Sequence, residues 1–192
     1  YSPSELPEVY EDATDGTLAV LILPAESPAH AEFALHTTAY SGFAQHPLVG
    51  WVAGTDPSMS GTARPAVFCG GAQPLRDAAV VMRITLPADH LAQIRVVNQF
   101  QFGNGDAIVF PKGGFSATTA AVNGKEQNVA RYLVDTQADT RLPLVANYAG
   151  TMVCVSIKSV DVQGGRVEFY APVVAGVEYR LAAPVEDYMS EL

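Results

Sequence analysis

The stretch His46-Pro47-Leu48-Val49-Gly50-Trp51-Val52-Ala53-Gly54-Thr55-Asp56-Pro57-Ser58-Met59-Ser60-Gly61 decides how this chain is interpreted. Its first half is apolar and predicts a buried strand, whereas its second half is small, polar and turn-forming, without Lys, Arg or Glu. A strand that runs into such a loop presents backbone N–H groups and short hydroxyls at one end of a sheet, where α/β proteins commonly bind ligands. The alternative is an ordinary buried strand followed by a surface turn.

The residues before this stretch predict a βαβ unit. Residues 18–23 form a continuous apolar run that is stopped by Pro24, which indicates a strand covered on both faces. Ser27 suits the N-cap of a helix and Pro28 suits its first position, because the missing N–H of proline has no partner there anyway. The helix is expected to end near residue 40, and residues 46–53 then form a second strand parallel to the first.

The rest of the chain predicts a mostly antiparallel sheet. Residues 78–86 and 94–100 alternate between apolar and polar positions, which indicates strands with one covered face. One further helix is predicted at 125–134. Three strands at the end of the chain, 152–161, 166–172 and 177–182, predict a three-stranded antiparallel meander. The predicted fold class is therefore α+β, with a βαβ opening and a mostly antiparallel sheet.

The domain organisation is predicted from composition. Residues 1–17 contain two prolines and five acidic side chains and are interpreted as a solvated lead-in. Residues 18–192 are long enough and apolar enough to form a single α+β domain, with possible sub-halves at 18–114 and 115–192. Residues 186–192 form a short acidic tail.

Charge and hydropathy exclude several classes of partner. The net charge is −9, only three of the eleven basic residues are lysines, and no cluster of Lys and Arg is present, so we expect no nucleic acid partner. No apolar window reaches the roughly 18 residues of a membrane span, so we expect no membrane partner. Cys69 and Cys154 lie far apart in apolar runs, which favours two reduced thiols and a cytoplasmic location.

A candidate ligand site follows the strand that carries Trp51. Asp56, Ser58 and Arg64 form a dense set of short polar groups with a guanidinium suited to binding a carboxylate through two hydrogen bonds. Trp51 would supply an apolar wall and Thr55 a hydroxyl. We therefore predict a small-molecule site at Trp51, Thr55, Asp56, Ser58 and Arg64. The competing interpretation places Trp51 in the core and leaves Arg64 in solvent.

The familiar catalytic and cofactor motifs are absent from the sequence. None of the four histidines has the spacing of a metal site, no Gly-x-Ser-x-Gly elbow is present, and no phosphate-binding glycine motif follows a strand. No catalytic residue, metal or cofactor is therefore assigned. An enzyme that pairs a histidine with Asp56 or Cys69 is one alternative. A structural subunit of a larger assembly, homo-oligomeric or with a partner subunit, is another, suggested by the start at Tyr1 instead of Met.

Two resemblances add to these predictions. Pro47-Leu48-Val49-Gly50-x-x-Ala53-Gly54 after a β–α unit resembles a stretch of the FIST sensory domains, and Val122-Asn123-Gly124-Lys125 followed by Tyr132-Leu133 is similar to another. Over nearly all its length the chain more closely resembles an uncharacterised bacterial family, through Pro24-Ala25-x-Ser27-x-x-His30 and Pro47 to Trp51. The FIST resemblance implies a non-enzymatic sensory domain for small molecules such as amino acids, with haem in some members. Thr55 stands where FIST domains usually carry an acidic residue.

Overall fold

A computed structural model describes residues 1–56, 63–71, 73–148 and 150–185 of the chain. The chain divides into two compact units, Tyr1–Arg95 and Val96–Leu192. Each unit has its own sheets and its own buried apolar cluster. The predicted α+β class with mostly antiparallel sheets is confirmed, whereas the predicted boundaries at residues 17 and 114 stay predictions.

The first unit is built on a three-stranded sheet. Its elements are a 3₁₀ helix at Pro3–Glu8, β1 at Thr17–Pro24, α1 at Pro28–His36, a short 3₁₀ helix at Thr37–Ala39, β2 at Leu48–Ala53 and β3 at Val80–Thr85. Strand β1 lies in the centre, parallel to β2 and antiparallel to β3. The predicted βαβ opening is therefore present.

The two faces of this sheet differ. Leu21 and Leu23 of β1 are buried against Leu6 of the first 3₁₀ helix and Ala29 of α1, so these two helices cover one face. The opposite face, called here the open face, is entirely apolar at its centre. The strand register places on it Val20 and Ile22 of β1, Val49 and Trp51 of β2, and Met82 of β3. Trp51 is 59% exposed and Met82 54% exposed.

The prediction that the Trp51 strand is buried is wrong. Strand β2 is the edge of the sheet, and Val49, Trp51 and Val52 are all more than two-fifths exposed. An apolar run of six residues looks the same in sequence whether its strand has neighbours on both sides or on one side only. The sheet topology, and not the apolar run, determines whether a strand has neighbours on one side or on both.

The interpretation of residues 1–17 as a solvated segment is also wrong. Leu6, Val9 and Tyr10 are buried, and the Tyr10 hydroxyl donates a hydrogen bond of 2.9 Å to the carbonyl oxygen of Pro47. Three large buried side chains are enough to anchor the segment, although it also contains five acidic residues. The segment therefore covers the sheet instead of preceding it.

The second unit contains two sheets. Its elements are β4 at Ile108–Val109, β5 at Gly114–Ala117, β6 at Thr119–Val122, β7 at Lys125–Asn128, α2 at Val129–Asp135, β8 at Leu144–Tyr148, β9 at Thr151–Val155, β10 at Ile157–Asp161, β11 at Arg166–Val173 and β12 at Glu178–Leu181. One sheet has the order β10-β11-β5, and the other has the order β7-β6-β4-β12-β8-β9.

Both sheets of the second unit contribute to one core. The ring of Phe110 contacts Phe169 of β11 with the centroids 5.5 Å apart and Tyr179 of β12 with the centroids 5.7 Å apart, both edge to face. All three side chains are buried, as are Val129 and Leu133 of α2. Such aromatic pairs add specific stabilisation to the burial of large apolar areas.

The three-stranded sheet of this unit differs from the predicted meander in its third strand. Strands β10 and β11 form the predicted hairpin, but β11 next pairs with β5, and β12 lies between β4 and β8 in the other sheet. The predicted strand 152–161 is likewise divided between the two sheets, as β9 and β10. Short connections favour pairing of sequential strands, yet here they carry the chain from one sheet to the other.

Two other predicted elements differ from the structure. Residues 125–128 form β7, because Asn123 and Gly124 both have positive φ and close a hairpin with β6, so the helix begins only at Val129. Residues 94–100 alternate as a strand would but have no regular secondary structure. The predicted acidic tail, 186–192, lies outside the described residues.

Asn128 connects three segments of the second unit. Its side-chain oxygen accepts a hydrogen bond from the Arg131 backbone N–H at 2.9 Å and so caps α2. Its side-chain nitrogen donates to the carbonyl oxygens of Thr118 at 3.0 Å and of Gly165 at 2.7 Å. One amide therefore joins the start of a helix, the β5–β6 connection and the turn between β10 and β11.

Candidate functional site

The turn between β1 and α1 is the first wall of the candidate site. Strand β1 ends at the buried Pro24, and Ser27 caps α1, as predicted, because its hydroxyl oxygen accepts a hydrogen bond from the His30 backbone N–H at 3.1 Å. The same hydroxyl donates to the Pro24 carbonyl oxygen at 2.7 Å. The turn is therefore held in one conformation at the carboxyl end of the central strand, where parallel strands commonly present ligand sites.

Glu26 has a strained backbone within this turn. Its φ is +57°, a left-handed conformation that is uncommon for a residue with a long side chain. Its backbone N–H donates to Nδ1 of the buried His30 at 3.4 Å. Burial lowers the pKa of His30, and the negative charge of Glu26 partly opposes that shift. Strain of this kind persists where surrounding contacts hold it and often marks functional sites.

A loop that carries two arginines forms the second wall. The guanidinium of Arg64 donates to the Asp77 carboxylate at 3.1 Å, and the guanidinium of Arg76 donates to the Arg64 backbone carbonyl. Val67 and Leu75 exchange two backbone hydrogen bonds of 2.8 Å, which brings the two ends of the loop together. Arg64 and Arg76 therefore lie side by side at the base of this loop.

A small pocket of about 210 Å³, partly open to solvent, lies between the two walls. Its lining includes two arginines, one glutamate and the N-cap residue of α1. The residues that line it are Ala25, Glu26, Ser27, Ala63, Arg64, Pro65 and Arg76. Residues of both charges thus line one pocket, and a ligand that carries both charges would complement such a set.

The structure places one of the predicted site residues in this pocket. Arg64 lines it, whereas Trp51, Thr55 and Asp56 do not; Trp51 lies on the open face and Asp56 is exposed. Ser58 lies outside the described residues. Glu26 and Arg76 also line the pocket and are not among the predicted site residues. The first could have been found from its place in the β1–α1 turn, which the sequence located correctly, and the second had no local signal.

His46, His90 and Cys154 each contact a residue that does not line the pocket. The ring of His46 packs on the ring of Tyr10 with the centroids 5.1 Å apart. On the surface, Nδ1 of His90 lies 2.8 Å from a carboxylate oxygen of Asp89. Both cysteines are free thiols, and Cys69 is exposed. Cys154 accepts a hydrogen bond from the Asn98 side chain; burial raises the pKa of its thiol, and that hydrogen bond partly opposes the shift. Among the described residues, no group of three or more His, Cys, Asp or Glu side chains could hold a metal ion.

The comparisons with known proteins give a family and no activity. A model of a family of unknown function, DUF6976, matches residues 1–192, so the chain belongs to that family. No curated protein and no solved structure matches the chain. The predicted membership of an uncharacterised family is confirmed, and the resemblance to FIST domains stays a prediction. In the described part of the chain, no helix has the length and apolar character needed to cross a membrane.

Proposed function

From membership in a family without an assigned activity, we propose that this protein is a non-enzymatic domain that binds a small carboxylate, with amino acids as the first candidates, in the pocket between the β1–α1 turn and the arginine loop. The observation that supports the proposal is the presence of Arg64, Arg76 and Glu26 around one small space. A sensory role for the bound state agrees with the absence of familiar catalytic motifs from the sequence.

The two arginines suit the carboxylate of such a ligand. A guanidinium has five N–H donors in a planar fork that matches the two oxygens of a carboxylate. The Arg64 guanidinium donates a hydrogen bond to the Asp77 carboxylate, and the Arg76 guanidinium donates one to the backbone carbonyl of Arg64. These contacts orient both groups before a ligand arrives, which lowers the entropic cost of binding.

Glu26 supports a ligand that also carries a positive charge. Its carboxylate would repel a simple anion in the same pocket but would attract an ammonium group. A zwitterionic amino acid satisfies both requirements, because its carboxylate and its ammonium lie on the same carbon. The pocket volume of about 210 Å³ restricts the ligand to a small molecule, since drug-sized ligands need about 300 Å³ or more.

The proposal is tested by calorimetry with a panel of amino acids and with the matching carboxylates that lack the amino group. We expect an amino acid to bind, and R76Q to weaken its binding about tenfold or more, because a charge-assisted hydrogen bond contributes about 1.5–3 kcal/mol. R131Q is the matched control, because Arg131 is an exposed arginine of α2, outside the pocket. Equal binding by the natural protein and R76Q would reject the pocket, and no binding by any member of the panel would reject the ligand class.

The other predicted functions do not follow from the pocket. An enzyme that uses a histidine with Asp56 or Cys69 stays a prediction, as does a role for haem. A structural subunit that works through self-association is supported by a different part of the molecule.

A further inference from the structure

In the part of the chain that the structure describes, strand β2 is an edge strand, and its own sequence carries none of the residues that usually protect such an edge. Among the described residues, no strand pairs with β2 on the side away from β1. Soluble proteins commonly protect such edges with charged residues, proline or a bulge, yet Leu48–Ala53 contains neither charge nor proline. The other edge, β3, contains Arg83, whose guanidinium donates to the Glu11 carbonyl and the Tyr1 hydroxyl.

The hydrogen-bonding pattern shows which backbone groups of β2 point outward. Ala19 donates to the carbonyl of Pro47 at 3.0 Å, and Ala25 donates to the carbonyl of Ala53 at 2.8 Å. The odd-numbered residues of β2 therefore direct their backbone groups toward β1. Because this direction alternates along a strand, the N–H and C=O groups of Leu48, Gly50 and Val52 point away from the sheet.

The charge distribution favours a second copy of the same chain as the partner. Positions 33–55 contain no Asp, Glu, Lys or Arg, whereas the whole chain carries a net charge of −9. The edge strand itself, Leu48–Ala53, carries no charged side chain, so pairing of two β2 strands places no charge of one strand against a like charge of the other. An edge strand also complements itself, because antiparallel pairing about a twofold axis satisfies both copies with the same residues.

We propose that two copies of this protein associate by antiparallel pairing of their β2 strands, which forms one continuous six-stranded sheet. The outward groups fit a register with Gly50 opposite Gly50 and Leu48 opposite Val52 of the second copy, both as hydrogen-bonded pairs. Val49 then stands opposite Trp51 of the second copy on the open face. Such pairs of an aromatic and a β-branched side chain stabilise antiparallel sheets.

The contact is small, and this determines the expected affinity. Stable dimers bury about 800 Å² on each partner, more than the edge of one six-residue strand supplies. We therefore expect a dimer whose population rises with protein concentration in the micromolar range. Added salt strengthens it, because salt screens the repulsion between two chains of charge −9.

Sedimentation velocity over a range of concentrations tests the proposal. The natural chain is expected to form dimers, and V52P is expected to raise the dissociation constant at least tenfold, because proline removes an outward N–H that the β1–β2 ladder does not use. M82K is the matched control on the same open face but on the opposite strand, and L91K controls for nonspecific apolar association, since Leu91 is 93% exposed.

Several outcomes would overturn the proposal. A natural chain that stays monomeric throughout the range rejects it. Equal loss of dimer in M82K shows that the open faces pack together instead, and open-ended oligomers show that β2 pairs with β3 of the next copy. If V52P fails to fold, amide hydrogen exchange of the natural chain decides: the amides of Leu48, Gly50 and Val52 must exchange at least tenfold more slowly at high than at low concentration.

Discussion

The two units of this molecule bury their apolar residues in different ways. In the second unit, two sheets and α2 share one core, and Phe110, Phe169 and Tyr179 are all buried within it. In the first unit, helices cover only one face of a three-stranded sheet, and the open face exposes Trp51 and Met82. The pocket and the unprotected strand edge both lie in the first unit. Both proposed binding surfaces thus belong to the unit in which helices cover one face of the sheet.

The strongest way to disturb this contrast is to remove an aromatic ring from the second unit. We expect F110A to lower the free energy of unfolding by about 3–5 kcal/mol, because it leaves a cavity among buried rings. Urea denaturation measures the change. Y170A, on the exposed side of the neighbouring strand, is the control and should change stability far less. Similar losses in the two variants would contradict the assignment of the core.

In the first unit, the largest expected effect is at Gly50. A Cβ atom there would lie 1.8 Å from the carbonyl oxygen of Leu21, so G50A must push β2 away from β1. We expect a loss of about 1–3 kcal/mol, as for other overpacked sites, measured by urea denaturation. G54A is a matched control, because a Cβ at Gly54 meets nothing within 4 Å. A fully stable G50A would show that the strands are not so close.

The strain at Glu26 predicts a change of opposite sign. We expect E26G to stabilise the fold by up to about 1 kcal/mol, because glycine adopts positive φ without steric cost, while it weakens amino-acid binding at the pocket. Thermal unfolding and calorimetry measure the two effects. E32G, within α1, should be destabilising by roughly 1 kcal/mol instead. A lower stability of E26G would show that the contacts of the Glu26 side chain contribute more to stability than the strain of its backbone costs.

The smallest expected effect is a pH dependence at His30. Because burial holds its pKa below the unfolded value of 6.5, the unfolded state takes up the proton first as the pH falls. The contribution of His30 to stability is therefore present above about pH 6.5 and is lost as the pH falls through 6.5 toward the lower folded pKa. Melting temperatures measured between about pH 7.5 and 5.5 should fall less steeply for H30N than for H36N, in which an exposed histidine is removed.

The same contrast explains what could be predicted from sequence. The βαβ opening and the Ser27 cap depend on residues that lie close together in sequence, and both are present in the structure. The exposure of β2 and the division of the last strands between two sheets depend on which strands pair, and pairing partners lie far away along the chain. Alternation at 94–100 predicts a strand only where a partner is available to pair with it.

The candidate site shows the same limit. The sequence predicts Arg64 as a cation that follows a strand, and it predicts the other polar residues of the site in the adjacent loop. The pocket instead combines the β1–α1 turn with Arg76, which the Val67–Leu75 pairing brings alongside Arg64. A single pair of backbone hydrogen bonds between residues eight positions apart thus decides the composition of the site.

The three hydrogen bonds of Asn128 have a consequence for the order in which the second unit folds. The β6–β7 hairpin closes through a two-residue turn, and such local structures form within microseconds. The Asn128–Arg131 cap is local, whereas the Asn128–Gly165 bond joins residues 37 positions apart, so we infer that the bond to Gly165 forms after the cap. We therefore expect N128A to slow refolding as well as to weaken the native state, because it removes the link between an early local step and a late one across the sequence.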